Sequence, residues 1–148
     1  MRVVLQRVLR ASVSVNHIEV AAIGKGVLLL VGITHDDTPQ RAEWMARKVS
    51  TLRIFPSDSS DSGFDKSLTD VGGEVLVVSQ FTLYGEARKG RRPDFVAAAR
   101  PELAAPLIEQ FTTLLRQHGL AVQEGVFGAD MQVSLVNDGP VTLILEAP

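Results

Sequence analysis

Two hydroxyls, a carboxamide and an aromatic ring stand together at Ser79-Gln80-Phe81-Thr82, directly after the apolar run Val75 to Val78. The end of a buried strand is a common place for functional groups in sheet proteins. Ser79 and Thr82 offer hydroxyls, and Gln80 both donates and accepts. The same residues also serve simply to finish a strand and satisfy local backbone, and physical chemistry alone favours that plainer role. Nucleophilic catalysis by either hydroxyl needs a base within reach. His17 falls in a predicted turn, His35 after a strand and His118 at a helix end, where solvated or capping roles are the ordinary ones. There is no G-x-S-x-G elbow. No His/Glu pair has the helical spacing of metal ligands. Gly24-Lys25-Gly26 lacks the spacing and the following hydroxyl of a phosphate loop. Cysteine is absent, which removes disulfides, thiolate metal sites and cysteine nucleophiles. No metal and no cofactor are expected.

A second cluster is ionic. Arg88, Lys89, Arg91 and Arg92 place four cations in five positions, interrupted only by Gly90. Such a cluster grips phosphates by charge and by bidentate hydrogen bonds. Most charge runs are solvated loops. This one lies just downstream of the polar strand end and is basic within an acidic chain, which points to an anionic partner. A third group, Asn137-Asp138-Gly139-Pro140, has the composition of a turn. Gly-Pro in a tight turn is a candidate cis peptide, and a plain hairpin turn with trans proline fits the same residues.

These groups need a scaffold. Residues 2–15 alternate apolar and polar positions and predict a strand, with Asn16-His17 turning into a second strand over 19–23. After a turn at Gly24-Lys25-Gly26, Val27 to Ile33 is apolar on both faces and predicts a buried central strand. Thr38-Pro39 supplies an N-cap and a proline at the first helical position. Ala42, Met45, Val49 and Leu52 follow at helical spacing, so a helix is expected from Pro39 to Thr51. Arg53 to Phe55 reads as extended. Pro56 to Gly73, rich in Ser, Asp and Gly, predicts a long surface loop. Glu74 to Gln80 is a strand and Gly85 to Pro93 a basic loop. Leu103, Leu107, Phe111, Leu114 and Leu115 mark a second helix, ended by Gly119. Met131 to Val136, a turn at Asn137 to Pro140, and Val141 to Leu145 predict a terminal hairpin. The order of elements predicts a mixed α/β domain with two helices on one side of a sheet.

The 148 residues, 45% of them hydrophobic, suit one domain over 1–148 with a real core. The longest apolar run, Val27 to Val31, is far too short to cross a bilayer, and the N-terminus has no signal-peptide core. Together with the lack of cysteine, this suggests a cytoplasmic protein with no membrane partner. The net charge of −2 and pI near 5.9 argue against a general nucleic-acid binder. Any RNA contact must come from a local patch, and no DNA partner is expected.

The whole chain resembles the D-aminoacyl-tRNA deacylase family of the bacterial and eukaryotic type. The resemblance is carried by the opening, with Gln6-Arg7-Val8 and Ala11-Ser12-Val13, by Ser79-Gln80-Phe81-Thr82-Leu83 and by Lys89-Gly90-Arg91-Arg92-Pro93-Asp94-Phe95. Phe127-Gly128-Ala129-Asp130-Met131 and Asn137-Asp138-Gly139-Pro140-Val141-Thr142 complete it. The family's Lys-Met-Asn type segment is replaced here by Ser62-Gly63-Phe64-Asp65-Lys66-Ser67-Leu68, so that loop is assigned no role.

The resemblance implies a mixed sheet curled into a half-barrel, with two helices packed on one side in β/β/α layers. It implies a homodimer with active sites at the subunit interface, acting on the aminoacyl-tRNA 3′ end. Ser79, Gln80, Phe81 and Thr82 would form the catalytic segment. Gly139-Pro140, with a cis bond, would enter the partner's pocket as a chirality filter that excludes L side chains by clash. D-aminoacyl esters would be hydrolysed, and glycine, having no side chain to reject, would also pass. Arg7 would buttress the Gly-Pro segment. Phe127, Gly128, Ala129, Met131 and Asn137 would bind substrate, and Arg88, Lys89, Arg91 and Arg92 would hold tRNA phosphate. The resemblance also implies that the tRNA's own terminal 2′-hydroxyl assists water attack. The alternatives are a Thr82 nucleophile and a non-catalytic module that binds the tRNA 3′ end.

Overall fold

The computed structural model describes residues 1–59 and 61–148. Ser60, inside the predicted surface loop, lies outside the described residues.

The chain opens with β1 (Arg2–Val15), which turns at Asn16 and His17 into β2 (Ile18–Ile23) and continues into β3 (Gly26–Gly32). Both turn residues have positive φ, a conformation that asparagine tolerates and that tight hairpins need. One edge of β1 is shared: its first half pairs with β3, from Arg2↔Gly32 to Val8↔Gly26, and its second half with β2, from Ala11↔Ile23 to Val15↔Ile18. Helix α1 (Pro39–Thr51) starts where predicted, with the Thr38 hydroxyl accepting from Arg41 N–H and proline in the first turn. It returns the chain to β4 (Arg53–Phe55), β5 (Lys66–Ser67) and β6 (Glu74–Ser79), of which β6 lies parallel to β3. Helix α2 (Pro101–Gln117) then leads to β7 (Ala121–Glu124), parallel to β6. Two successive crossovers in one direction, each of the same hand, place both helices on one face of the sheet.

Alternation along the strands sorts the core into two layers. Val3, Leu5, Val27, Leu29, Val31, Val75 and Val77 face the helices and meet Met45, Val49, Phe111 and Leu115. Leu28, Leu76 and Val78 face the other way and pack with Val8, Val13 and Ile23. Strand β1 serves both layers because its pairing with the last strand shifts between Val8 and Arg10, which flips the side-chain parity. The sheet curls so far that β2 lies against β6 and β7, neither of which is its ladder neighbour. The mixed sheet curled into a half-barrel with two helices on one side is therefore the observed architecture.

Two expectations need correction. The predicted terminal hairpin is one continuous strand, β8 (Gln132–Glu146), antiparallel to β1 along its length. Gln6 pairs with Thr142 and Val8 with Asn137, so residues 138–141 are extruded as a large bulge rather than a chain-reversing turn. The turn-like composition is real, but β1 offers a long edge that captures both flanks in one direction. Second, the predicted loop over 56–73 is not structureless. Lys66 and Ser67 pair with β4, and Leu68 is buried in the core. Ala121 to Glu124, to which the sequence assigns no element, has no clear alternation and becomes β7 by pairing along the edge of β6. No helix among the described residues is long and apolar enough to cross a membrane.

Candidate active site

The C-terminal ends of the parallel strands β3 and β6 open into a cavity of about 560 Å³. Val31, Ile33, Val78, Ser79, Gln80 and Phe81 form its floor and one side. After Ser79 the Gln80 N–H still joins the ladder, donating to Val31 O at 2.8 Å. The chain then tightens into a 3-10 turn over Phe81–Tyr84, closed by Gly85 N–H donating to Thr82 O at 2.9 Å. Gly32 makes room for this turn. A Cβ at that position would sit 3.1 Å from Gln80 O and from Leu83 Cβ. Arg2 braces the turn from below: it donates to Leu83 O at 2.6 Å, stacks 4.8 Å above the Tyr84 ring and pairs with Glu146. Burial, aided by the nearby Asp37 charge, pushes the Tyr84 phenol up to about 12.

A second wall is the segment that follows the basic loop. Phe95, Ala98, Ala99, Arg100 and Pro101 all line the cavity. This segment is pinned to the end of β3: Ala99 N–H donates to Ile33 O at 2.9 Å, the Thr34 hydroxyl donates to Ala97 O at 2.7 Å, and His35 Nε2 lies 2.6 Å from Val96 O. Phe95 meets Phe81 edge to face at 5.1 Å, so the two walls touch at the rim. The third wall is Phe127, Gly128, Ala129, Asp130 and Met131, held near β6 by Gly125 N–H donating to Val77 O. Phe81 is 57% exposed and Phe127 42% exposed, so aromatic surface faces the opening on two sides.

The predicted catalytic segment and most of the predicted substrate residues thus meet in one cavity. Ser79, Gln80, Phe81, Phe127, Gly128, Ala129 and Met131 line it. Thr82 does not; its hydroxyl accepts a hydrogen bond from Gln80 Nε2. Neither Ser79 nor Thr82 has a histidine, lysine or carboxylate bonded to it among the described residues. The Phe81 and Thr82 N–H groups open the 3-10 turn and have no acceptor there among the described residues, as expected of the first donors of a helical turn.

Arg7, Asn137, Gly139 and Pro140 lie off the cavity of their own chain. Asn137 closes the base of the bulge: its Oδ1 accepts from Val141 N–H at 3.1 Å and its Nδ2 donates to Thr142 Oγ1 at 2.8 Å. Gly139 and Pro140 stand exposed at the tip, joined by a cis peptide bond. Arg7 is 8% exposed. Its Nη1 donates to Ile54 O at 2.6 Å, and its Nε contacts Asp138 O at 3.2 Å and Asp138 Oδ2 at 3.3 Å. Gly139 has φ +118°, and a Cβ there would fall 2.6 Å from Arg7 Nη2. Gly63 O, in the loop left without a role, lies 3.5 Å from Arg7 Nη1.

The basic loop is a narrow hairpin closed by Glu86 and Asp94, which exchange backbone hydrogen bonds at 2.8 and 3.0 Å. Its four cations are not equivalent. Arg88 is gripped by Glu86 through Nε and Nη2 at 2.5–3.0 Å, and this holds the Glu86 carboxyl below its usual range. Lys89, Arg91 and Arg92 are exposed and have no side-chain partner among the described residues. Among the described residues no group of three or more His, Asp or Glu is arranged to hold a metal ion.

Sequence reasoning missed the second wall. Ala98, Ala99, Arg100 and Pro101 carry no recognisable motif, and only Phe95 belongs to a quoted segment. Chemically, the cavity offers apolar and aromatic surface for a planar group, polar side chains at one end, and two free N–H donors beside them.

Residues 4–146 match the family model described as D-Tyr-tRNA(Tyr) deacylase. The chain is 55% identical over 147 residues to the D-aminoacyl-tRNA deacylase of Chloroflexus aurantiacus, covering 99% of this chain and 91% of the other. It is 56% identical over 147 residues to that of Brevibacillus brevis, covering 99% and 100%. Among solved structures it is similar to one described as c-Myc DNA Unwinding Element Binding Protein, with TM-score 0.92 and 44% identity over 100% of this chain and 99% of that one. A structure described as a probable eukaryotic D-amino acid tRNA deacylase shares the fold at TM-score 0.83, with 21% identity and 97% of each chain covered. With a match running nearly end to end, the chain belongs to the D-Tyr-tRNA(Tyr) deacylase family.

Proposed function

We propose that the chain is an aminoacyl-tRNA editing hydrolase that cleaves the ester of D-aminoacyl-tRNA, releasing free D-amino acid and tRNA. The observation that carries this reading is the meeting of Ser79-Gln80-Phe81 with Phe127 to Met131 around one cavity, in a chain of this family. The terminal adenosine occupies the aromatic part of the cavity. The ester lies at the Ser79 to Thr82 end, where the Phe81 and Thr82 N–H groups face the developing oxyanion.

An aminoacyl ester is already activated, so orientation supplies much of the rate. The tRNA's terminal 2′-hydroxyl assists the attacking water. Two features favour this over a Thr82 nucleophile: among the described residues no base is bonded to Thr82, and its hydroxyl oxygen accepts from the Gln80 amide. A non-catalytic module that binds the tRNA 3′ end remains the rival when turnover is absent.

The stereochemical filter in this reading is Gly139-Pro140 of a second copy. Its support is that both residues are exposed, lie off their own cavity and are anchored by buried Arg7 through Asp138. The enzyme is then a homodimer with its active sites at the subunit interface. A rigid wall of backbone leaves no space for an L side chain, while a D side chain points outward. Glycine has nothing to reject, so glycyl-tRNA mischarged on tRNA(Ala) is also cleaved. Lys89, Arg91 and Arg92 hold tRNA phosphates, in a cytoplasmic setting. The DNA element in the name of the 44% identical structure is not carried over, because a net charge of −2 with one small basic loop suits a short single-stranded end.

The test is hydrolysis of D-tyrosyl-tRNA beside L-tyrosyl-tRNA by the purified protein. Rapid loss of the D-ester alone is expected. Equal rates on the two, or no turnover of the D-ester, would sink the proposal, and tight tRNA binding without turnover would select the binding module.

A further inference from the structure

Among the described residues that line the cavity, only two carry charge, Arg100 and Asp130. They belong to different walls, Arg100 at the start of α2 and Asp130 in the segment that leads to β8. Arg100 is exposed, and its guanidinium has no hydrogen-bond or ion-pair partner among the described residues. Its backbone is nonetheless fixed, because Arg100 O accepts from Leu103 N–H at 3.0 Å and from Ala104 N–H at 2.9 Å. Its neighbours on the wall, Ala98, Ala99, Pro101 and Ala104, offer no side-chain acceptor. An exposed guanidinium with no partner among the described residues, carried on an anchored backbone by a residue that lines the cavity, is suited to a fork-shaped anion.

We propose that Arg100 binds the phosphodiester on the 5′ side of the substrate's terminal nucleotide and so fixes the direction in which that nucleotide enters. The inference rests on the deacylase reading above. A terminal aminoacyl-adenosine carries its ester on one side of the ribose and its phosphate on the other. The ester belongs at the Ser79 to Phe81 end. Asp130 repels a phosphate on the third wall, which leaves the Arg100 wall as the favourable site. Chain connectivity supports the same direction: the basic loop runs through Phe95 into Ala98, Ala99 and Arg100. Phosphates further along the acceptor strand then continue outward toward Arg91, Arg92 and Lys89.

The experiment measures inhibition of D-tyrosyl-tRNA hydrolysis by a stable amide analogue, 3′-deoxy-3′-(D-tyrosylamino)adenosine, with and without a 5′-monophosphate. Hydrolysis of D-tyrosyl-tRNA by the wild-type protein tests the deacylase reading independently. For the wild type, the 5′-phosphate should tighten inhibition about tenfold, the size expected of one charge-assisted contact. In Arg100→Gln that advantage should vanish while the unphosphorylated analogue inhibits as before, and KM for the tRNA should rise more than kcat falls. Arg100→Lys should recover part of the advantage. An Arg100→Gln protein that keeps the full phosphate advantage, or a wild type that shows none, overturns the assignment while leaving the deacylase reading intact.

Discussion

Replacing Arg7 tests how the bulge that carries Gly139-Pro140 is held. The guanidinium is almost fully buried and joins three separate parts of the chain: β1, the middle of β4 through Ile54 O, and the bulge through Asp138. Arg7→Met keeps much of the volume and removes every donor. The bond to Ile54 O, at 2.6 Å and buried, is a hydrogen bond to a charged group, and its loss also leaves a buried carbonyl unpaired. Asp138 is partly exposed and regains water, so it adds little to the cost. Together these give a destabilisation of about 3 kcal/mol. For a chain of this length that lowers Tm by roughly 10 °C. Arg7→Lys is the more informative variant. Its single ammonium cannot span Ile54 O and Asp138 as the fork does, so most of the fold survives while the bulge loses its anchor. Thermal unfolding followed by circular dichroism gives the first number, and the ratio of D- to L-tyrosyl-tRNA hydrolysis gives the second. We expect Arg7→Lys to lower that ratio with a smaller fall in Tm than Arg7→Met. An Arg7→Met protein that melts within about 2 °C of wild type, or an Arg7→Lys protein with unchanged discrimination, would refute the reasoning.

Thr82→Ala should retain most of its kcat on D-tyrosyl-tRNA, because the hydroxyl sits off the cavity and accepts from Gln80; loss on the order of a million-fold, as when a serine-protease nucleophile is removed, would reinstate Thr82 as the nucleophile. Changing Lys89, Arg91 and Arg92 together to alanine should reduce the slope of log affinity for tRNA against log salt by about 2, whereas Arg88→Ala should alter it less than any one of the three, since Glu86 already neutralises Arg88. Titration curves of binding at several salt concentrations decide this, and equal effects from Arg88 and Arg91 would contradict it. Tyr84 is the only tyrosine and titrates at about 12 in the folded protein, against about 10 when unfolded. The folded state therefore binds the extra proton, so this contribution to stability is complete below pH 10 and is lost as pH rises toward 12. Phenolate absorbance in the folded protein should rise near pH 12, and a transition near pH 10 in protein that is still folded would show the ring to be solvated.

Local chemistry made much of this protein legible before any coordinates. Thr38-Pro39 with apolar residues at helical spacing marks α1 to the residue, because caps and periodicity act within one turn. The alternation of residues 2–15 and the doubly apolar run after Gly26 identify β1 and the buried β3, since burial on one face or two is written in the period. The spaced segments at 79–82, 127–131 and 137–142 pointed to the family on their own. What the chain could not declare locally is whatever depends on partners far away in sequence. Asn137 to Pro140 reads as a hairpin turn, yet the long edge of β1 draws both of its flanks into one strand and leaves only a bulge. Ala121 to Glu124 has no strand pattern of its own and becomes β7 because β6 offers a free edge. The pairing of Arg88 with Glu86, the pinning of residues 97–99 to the end of β3, and the entry of Arg100 into the cavity are likewise products of packing. Residue type and period set the elements and the chemistry available; only the closure of long-range contacts decided which of those groups face one another.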